Sequence, residues 1–470
     1  MKNILLYLNL NTASLKIIKK ELVKNFNNIY LSNWNKYNIK EKKKYLSISS
    51  LVSCDKHILD YINNYQIKDE NEYNKIYNKN FSIYCAMLQR RLAFYEKINF
   101  YDYRNYFNIH YKFLEKFLVL NNINYLVIPP SASGGFDLLI REIAFSLKIK
   151  ILFVENFHTN KFFFTTRIDD WGQFKLAPKI FNKCKAYIYK KDPVKLFYVS
   201  NWERNIKKKS FSMRLVTITK QLFKLFFLFF KKKYLFYIFL TNYFNVTYEK
   251  ILIKKNSLNF KQIKFFPKNF VYFPLAYQPE STTLAYSPKY DDQVIAIEKL
   301  LKYLPSNWKV LVKEHPYQDN YNYRSIKFFE RIKNNSKVIL INSNTKNEIL
   351  FKKCKFVATL TGNSGWEAIR FGKKALLFGN PWYLNCPGVF HIDNLRDIKQ
   401  ILSTKFSLKD IKNYIENLTM KMGDGLINHD YLNGEDMFTN FKNNNYNLKT
   451  ELKKFANSLT KILLYQKIRW

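Results

Sequence analysis

The chain of 470 residues is too long for one ordinary hydrophobic core, so we expect two domains. Hydrophobic residues make up 47% of it, which excludes a wholly disordered protein. The net charge of +42 favours an anionic partner, although abundant lysine in a Lys-, Asn-, Ile-, Phe- and Tyr-rich composition spreads part of it over solvated faces. Nucleic acid is not the expected partner, because no zinc-finger spacing, RNP-like motif or helix-turn-helix stands out.

The N-terminal segment MKNILLYLNLN lacks the length and cleavage site of a signal peptide and predicts a first buried strand. The five cysteines are scattered without a CxxC pair, which argues against a disulfide framework or a zinc site. We therefore expect a reducing, cytoplasmic location, no metal and no cofactor.

A complete strand–loop–helix–strand unit follows in INYLVIPPSASGGFDLLIREIAFSLKIKILFVEN. Small residues at its first strand-to-helix junction, including Ser133 and Gly134, let backbone or ligand approach closely, although an ordinary tight turn explains them equally well. Glu155 ends the second strand, where a carboxylate is either catalytic or a cap for the next loop. In the following segment IDDWG, we expect Asp169 and its neighbour to shape an acceptor-binding loop rather than to bind a metal.

The span from Arg204 to Tyr248 contains many lysines and aromatic residues but no Asp or Glu. Its lysines interrupt the apolar run before it reaches the length of a membrane-spanning helix. Lys220, Lys224 and Lys231 would share one helical face, which favours a helix lying on an anionic membrane surface. The alternative is a helix hairpin packed between domains with its lysines directed outward.

Strands and helices alternate again after residue 265, which predicts a parallel sheet with right-handed crossovers. In WKVLVKEHPYQ, a strand ends on Lys313, and Pro316 then forbids further pairing. His315 is therefore directed outward at the carboxyl edge of the sheet, where ligands bind in open α/β folds. A charged loop that happens to contain a histidine is the alternative.

A second strand-to-helix junction, TLTGNSGWEAIRFGKK, has the composition of a phosphate-binding turn. Small and hydroxyl side chains precede free amides at a helix start, which attract anions. The residues concerned are Thr361, Gly362, Asn363, Ser364 and Gly365. Glu367, expected in the first helical turn, would cap the helix or reach a ribose hydroxyl. With a protonated His315, this loop would hold the phosphates of a nucleotide.

The segments FPLAYQPESTTL, LPSNWKVLVKEHP and TLTGNSGWEAIRFGKKALLFGNPWY, in this order, resemble the capsule and surface-polysaccharide biosynthesis glycosyltransferases. The resemblance is strong over residues 266 to 390 and looser over 121 to 175. It implies a GT-B architecture and similarity to Kdo transferases, which use a CMP-activated ulosonic acid. By this resemblance, His315, Pro316, Gly362 and Ser364 would hold the nucleotide.

The same resemblance implies that Glu280 of the QPE element is a nucleophile or general base and that Gln278 contacts donor or acceptor. Kdo-transferase relatives more often carry Asp at the position of Glu280. Ala276 stands where relatives often have histidine, which leaves open a loss of acceptor contacts or activity.

We therefore predict an α/β, GT-B-like protein with two Rossmann-like domains whose parallel sheets face a central cleft, followed by a helical C-terminal segment. The predicted boundaries are an acceptor domain at 1–195, a basic aromatic insert at 196–265, a nucleotide-sugar domain at 266–405 and C-terminal helices at 406–470.

The expected function is glycosyl transfer from a nucleotide sugar, with a CMP donor favoured, to a lipid-linked glycan at the inner face of the cell membrane. The alternatives are a non-catalytic assembly or export partner with the same fold and a sugar-nucleotide epimerase.

Overall fold

The computed structural model describes residues 2–8, 10, 12–33, 45–92, 100–131, 134–157, 160–188, 248, 265–278, 280–315, 318, 324–343, 345–427 and 447–470. We call residues 2–188 the first half and residues 265–403 the second half. The predicted membrane-surface helix around Lys220, Lys224 and Lys231 lies outside the described residues.

The strands in chain order are β1 Asn3–Leu6, β2 Asn28–Asn33, β3 Tyr45–Ser47, β4 Ile123–Ile128, β5 Lys150–Asn156, β6 Lys161–Thr165, β7 Phe270–Pro274, β8 Lys309–Lys313, β9 Val338–Ile341, β10 Phe356–Thr359, β11 Lys374–Leu377, β12 Val389–His391 and β13 Met422–Asp424. The helices are Thr12–Leu22, Ile48–Ser53, Lys56–Ile62, Glu70–Leu92, Phe100–Leu120, Gly135–Ser146, Ser281–Tyr286, Gln293–Leu301, Ile326–Lys333, Asn347–Lys353, Asn363–Arg370, Ile398–Ser403, Leu408–Thr419 and Leu448–Leu463. Short 3-10 turns occur at Ile168–Asp170, Pro288–Tyr290 and Ile392–Asn394.

The first half, together with β13 from the C-terminal segment, forms a seven-stranded sheet in the order β13-β6-β5-β4-β1-β2-β3. β1 pairs in parallel with β2 and β4, β2 with β3, and β4 with β5. β6 runs antiparallel to both β5 and β13. The central strands are short apolar runs such as NILL and INYLVI, typical of strands covered on both faces by helices.

The second half forms a six-stranded sheet in the order β12-β11-β10-β7-β8-β9, with every pairing parallel. Buried strand residues such as Val271, Leu311 and Val357 fill both faces of this sheet. Two sheets of this kind confirm the predicted α/β fold with two Rossmann-like halves.

The C-terminal segment returns to the first half. The helix Leu448–Leu463 packs against the helix Thr12–Leu22, and β13 extends the first sheet by pairing with β6. The sequence indicated only helices beyond residue 405, so β13 was not foreseen. One buried cluster contains Ile4, Trp366 and Phe455, and it thereby joins the two halves and the C-terminal helix in a shared core.

Within the described residues, no helix is both long and apolar enough to cross a membrane.

Candidate functional site

Each sheet has a topological switch point, where the strand order reverses. Ligands of open α/β folds bind in the crevice that this reversal leaves at the carboxyl ends of the strands. In the first sheet this point lies between β1 and β4, so the loop after β4, with Ser131, borders it. In the second sheet it lies between β7 and β10, so Glu280 and the Thr361–Gly365 loop border it. We call the junction lined by the loops after β4, β5 and β7 the cleft.

Glu155 is the side chain through which the halves meet in the cleft. Tyr286, at the end of the helix Ser281–Tyr286, donates its phenolic hydrogen to Glu155 Oε2 at 2.8 Å. The Tyr286 hydroxyl is also hydrogen-bonded to Ser131. Desolvation and the Tyr286–Glu155 contact raise the pKa of Tyr286 well above its usual value, so the phenol stays a donor.

The pKa of Glu155 is raised from 4.5 to about 7, first by burial and then by the negative charge of Glu280, against the lowering effect of the Tyr286 hydrogen bond. The charge of a carboxylate from the second half thus acts on a carboxylate of the first half. Glu280 is half-buried at the N-cap of the helix Ser281–Tyr286, where its carbonyl accepts from the Thr283 hydroxyl at 2.8 Å. Both predicted catalytic carboxylates therefore lie at the cleft.

The loop that carries Glu280 is held by a buried network around Arg324. Arg324 Nε donates to Glu314 Oε2 at 2.8 Å, and another guanidinium nitrogen donates to Gln278 Oε1 at 2.6 Å. Gln293 Nε2 donates to the same Gln278 oxygen at 2.7 Å and to the Ala276 carbonyl at 3.0 Å. The Gln278 amide, predicted to contact donor or acceptor, is occupied in bracing the loop, with its nitrogen on the Asp291 carbonyl.

Ala276 belongs to the same hydrogen-bond network around Arg324. Its amide donates to Gln293 Oε1 at 2.8 Å, and its carbonyl accepts from Arg324 and Gln293. This position therefore contributes its backbone to the loop whatever its side chain does.

His315 follows β8 at the carboxyl edge of the second sheet, as expected from the sequence. Its amide donates to Glu314 Oε1 at 2.6 Å, and its ring lies 5.6 Å from the ring of Tyr277. Burial, followed by the charges of Arg324 and Lys313, lowers the pKa of His315 to about 4. The imidazole is therefore neutral in the unliganded protein at neutral pH, and its protonation beside a bound phosphate stays a prediction. A bound phosphate would raise this pKa, and the neutral ring can still donate one hydrogen bond.

Lys313 is buried rather than projecting into the crevice. Its ammonium group donates to the Thr345 carbonyl at 2.9 Å and to Asn347 Oδ1. Burial lowers the pKa of Lys313 to about 8, against the raising effect of Glu367. Asn347 links onward to Glu367 through a 3.5 Å contact. Lys313 and Glu367, both predicted to bind the nucleotide, thus belong to one connected network behind the sheet edge.

The Thr361–Gly365 loop opens the helix Asn363–Arg370, with Gly362 as its N-cap in extended conformation. The Tyr383 hydroxyl donates to the Gly362 carbonyl, and a Cβ at Gly365 would lie 2.5 Å from that hydroxyl. Glycine is therefore required at 365, and the helix starts one residue before Ser364. Glu367 falls in the second turn, so its predicted first-turn position is wrong.

The strand order fixes how these loops are spaced. β7 lies between β8 and β10, so the His315 and Ser364 loops follow strands two positions apart. At about 4.8 Å per strand, those strands are roughly 10 Å apart, with the Glu280 loop starting between them. This arrangement fits an extended ligand such as a nucleotide lying across the strand ends.

Two other predicted positions, Gly134 and Asp169, have different environments. Gly134 is the N-cap of the helix Gly135–Ser146 and donates its amide to Asp137 Oδ2 at 2.8 Å. Asp169 is exposed and paired with Arg167 at 2.6 Å, an ion pair that lowers the pKa of the Asp169 carboxyl. Ser133 and Pro316 lie outside the described residues.

Sequence inspection missed Tyr286 and Arg324. Their roles depend on partners far away in the chain, and no local pattern marks them. No group of three or more metal-ligating side chains occurs among the residues that the structure describes.

Residues 198–415 match the family model described as capsule polysaccharide biosynthesis protein. Over these residues, just under half of the chain, the sequence is similar to that family. The family recognised from the motifs is thereby confirmed, and the matched segment includes Glu280, His315 and the Thr361–Gly365 loop. No curated protein sequence matches the chain significantly.

Several solved structures are similar to the chain. The beta Kdo 2,7 transferase KpsC of Thermosulfurimonas dismutans is 12% identical, with 70% of this chain and 85% of that chain covered and a TM-score of 0.31. The beta Kdo 2,4 transferase KpsC of the same organism is 13% identical, with 66% and 87% covered and a TM-score of 0.29. The UDP-GlcNAc 2-epimerase of Methanocaldococcus jannaschii, in complex with UDP-GlcNAc and UDP, is 13% identical, with 89% and 99% covered and a TM-score of 0.25. TM-scores this low establish no activity for this chain.

Proposed function

We propose that this protein is a glycosyltransferase that moves a sugar from a nucleotide donor to a lipid-linked acceptor in capsule or other surface-polysaccharide synthesis. The observation that carries the proposal is the carboxylate pair contributed by opposite halves: Glu155, which accepts a hydrogen bond from Tyr286, and Glu280, whose charge acts on Glu155. The family match of residues 198–415 supports the biosynthetic setting.

The chemistry needs a base, an opposing charge and a stabilised leaving group. The acceptor hydroxyl oxygen forms a bond to the anomeric carbon, and the bond from that carbon to the nucleotide phosphate breaks with its electron pair going to the phosphate. With a pKa of about 7, Glu155 can take the acceptor proton at neutral pH. Glu280 then serves as nucleophile or as the charge that opposes the oxocarbenium-like centre, and the carboxylate separation around the bound sugar decides between retention and inversion.

The leaving phosphate would lie between His315 and the start of the helix Asn363–Arg370. Amides at a helix start donate to anions, and the helix dipole adds a favourable field. Arg324 and Glu314 act as positioning residues, because they hold the backbone that presents His315 and Gln278.

Among donors we favour a CMP-linked ulosonic acid such as Kdo, and we propose that transfer needs no metal or other cofactor. The lipid-linked acceptor places the protein at the inner face of the cell membrane, with the basic aromatic segment at 196–265 touching anionic lipid. Cytoplasmic, membrane-peripheral localisation and the absence of a nucleic-acid partner belong to the same proposal.

Thermal unfolding of the purified protein with CMP, CDP, UDP, GDP or ADP at millimolar concentration tests donor binding. A ligand at ten to one hundred times its dissociation constant stabilises the folded state by about 1.4 to 2.7 kcal/mol. Stabilisation by CMP alone supports the CMP-ulosonate donor, whereas a preference for UDP or GDP retains the transferase and changes the sugar class. No stabilisation by any of them contradicts the proposal.

Glu280→Gln tests the catalytic assignment. We expect glycosyl transfer to be lost and the nucleotide-induced stabilisation to remain, because the change removes a charge but keeps the shape of the side chain. Full transfer by this variant would remove Glu280 from the mechanism.

A further inference from the structure

A polar cavity of about 500 Å³ lies between the halves. Gln173 and Lys175 line it from the first half. Its second wall includes Asn380, Asn385, Phe390 and Asn394 from the loops around β12. None of these residues belongs to the nucleotide site proposed above, and the volume is in the range of ordinary small-ligand sites.

The wall from the first half is fixed by Asp170. The buried Asp170 carboxylate accepts from the Thr165 hydroxyl at 2.8 Å and from the amides of Lys175 and Leu176 at 2.8 and 3.0 Å. These hydrogen bonds fold the segment 170–176 back on itself and hold Lys175 at the cavity.

Contacts between the halves fix the opposite wall. Gly172 has a φ of +82°, and a Cβ there would lie 2.6 Å from the Pro381 carbonyl oxygen, so the two loops pass in close contact. Asn385 Nδ2 lies 3.5 Å from the Gln173 carbonyl oxygen. The cavity is therefore a formed feature of the junction between the halves.

The lining chemistry suits a saccharide. The side-chain amides of Gln173, Asn380 and Asn394 make no hydrogen bond with any residue that the structure describes. Each amide both donates and accepts, as each sugar hydroxyl does, so the two sets of groups are complementary. Phe390 offers an apolar surface to the carbon face of a sugar ring. The charged groups of Lys175 and Asp393, the latter paired with Lys289 at 3.0 Å, offer further hydrogen-bond partners to sugar hydroxyls.

The cavity wall contacts Tyr286 of the cleft. The Asn380 amide donates to the Tyr286 carbonyl at 3.0 Å, and the Trp171 ring stacks on the Tyr286 ring at 5.8 Å with an interplanar angle of 10°. Tyr286 thus separates the cavity from Glu155 by the width of one side chain. A glycan bound in the cavity would reach the proposed reaction centre by passing the Tyr286 side chain.

We propose that this cavity binds a saccharide unit of the acceptor glycan, an inference that rests on the proposed transferase function. It goes further than that function by assigning acceptor recognition to Gln173, Asn380 and Asn394. The loop that Asp170 folds would then contribute to acceptor binding by holding Gln173 and Lys175 at the cavity.

Binding of the full-length protein to an array of purified bacterial capsular polysaccharides and O-antigens tests the cavity. The wild-type protein should bind at least one of them. Asn394→Trp, which fills the cavity, should abolish that binding, and the double variant Gln173→Ala/Asn394→Ala should weaken it at least tenfold. The matched control Gln66→Ala/Asn307→Ala changes two exposed amides elsewhere and should bind like wild type.

Nucleotide-induced thermal stabilisation, measured on the same variants, separates this inference from the proposed function. Loss of polysaccharide binding with nucleotide stabilisation retained assigns the cavity to the acceptor. Absence of binding by the wild-type protein, or binding that survives Asn394→Trp, overturns the inference and leaves the donor site untouched. Cavity-dependent polysaccharide binding without any nucleotide response would keep the saccharide site and overturn the transferase.

Discussion

The environment of Glu155 is made by residues that no local sequence pattern connects. Burial and the Glu280 charge raise its pKa, while the Tyr286 phenol from the other half donates to one of its oxygens. The sequence located Glu155 correctly at a strand end, because an apolar run followed by a carboxylate marks the edge of a parallel sheet. The sequence could not predict the contact with Tyr286, because Tyr286 lies 131 residues further along the chain.

The raised pKa of Glu155 predicts a stability that depends on pH. Between about pH 4.5 and pH 7 the folded state binds more protons than the unfolded state, so the free energy of unfolding falls as pH rises through this window. We expect Glu155→Gln to make this pH-dependent loss of unfolding free energy smaller by roughly 1 to 2 kcal/mol. This figure is reduced from the full effect of the pKa shift because Glu155 is partly accessible to solvent. Urea unfolding of both proteins at pH 5 and pH 8 measures it, and an identical pH dependence would contradict the raised pKa.

Removing His315 should weaken nucleotide binding. We expect His315→Ala to cost about 1.5 to 3 kcal/mol of binding free energy, the size of a hydrogen bond to a charged group. Titration calorimetry with the nucleotide that stabilises the protein measures the loss. His57→Ala is the control, because His57 lies in the helix Lys56–Ile62 of the first half, away from the second sheet. Equal affinity of wild type and His315→Ala would exclude His315 from the site.

At the scale of elements, the strand–helix alternation of the second half was predictable in detail. Apolar runs such as KVLVK and KFVAT end at small, polar or charged residues, and each became a parallel strand followed by a loop at one edge. Helix starts were less predictable, since Glu367 lies one turn later than expected. The start is set by Tyr383, which contacts Gly362 and Gly365 from a loop further along the chain.

The Gly365–Tyr383 contact predicts a rescue. Gly365→Ala alone should cost about 1 to 3 kcal/mol of folding stability, because its Cβ would overlap the Tyr383 hydroxyl. Tyr383→Phe alone should cost about 1 kcal/mol through the lost hydrogen bond to Gly362. The double variant removes the overlapping oxygen and should be more stable than the sum of the single losses allows. Strict additivity in urea unfolding would show that the steric contact is unimportant.

At the scale of the whole molecule, the shared core makes the C-terminal segment part of the first half. Phe455 is fully buried, and its ring lies 4.9 Å from the ring of Phe162 on β6. The pattern of apolar residues predicted the helix that carries Phe455 but not its partner. Only the folded chain reveals that this helix covers Thr12–Leu22 and that β13 completes the sheet beside it.

Phe455→Ala should therefore destabilise the first half. The expected loss is about 3 to 5 kcal/mol, typical of a fully buried phenylalanine truncated to alanine. Leu464→Ala is the matched control, because Leu464 follows the same helix and is 50% exposed, and it should change stability by less than about 0.5 kcal/mol. Similar unfolding free energies for both variants would contradict the packing of this helix.

The basic aromatic segment predicts membrane binding by the whole protein. Deleting residues 219–240 should release the protein from liposomes that contain anionic lipid. Lys220, Lys224 and Lys231 changed together to Gln should weaken binding by about 3 kcal/mol, or roughly one hundredfold, at about 1 kcal/mol per lysine near the surface. Sedimentation with liposomes measures both effects, and undiminished binding of the deletion variant would mean that this segment does not dock the protein.

The pairing of β13 with β6 can form only late in synthesis of the chain on the ribosome. Lys161 of β6 and Asp424 of β13 form an ion pair across 263 residues of sequence. At about 5 to 20 residues per second, the edge of β6 waits roughly 13 to 50 seconds for its last partner to be synthesised. During that interval the nascent chain displays an unpaired aromatic strand, KFFFT, which makes it a natural client for a ribosome-associated chaperone.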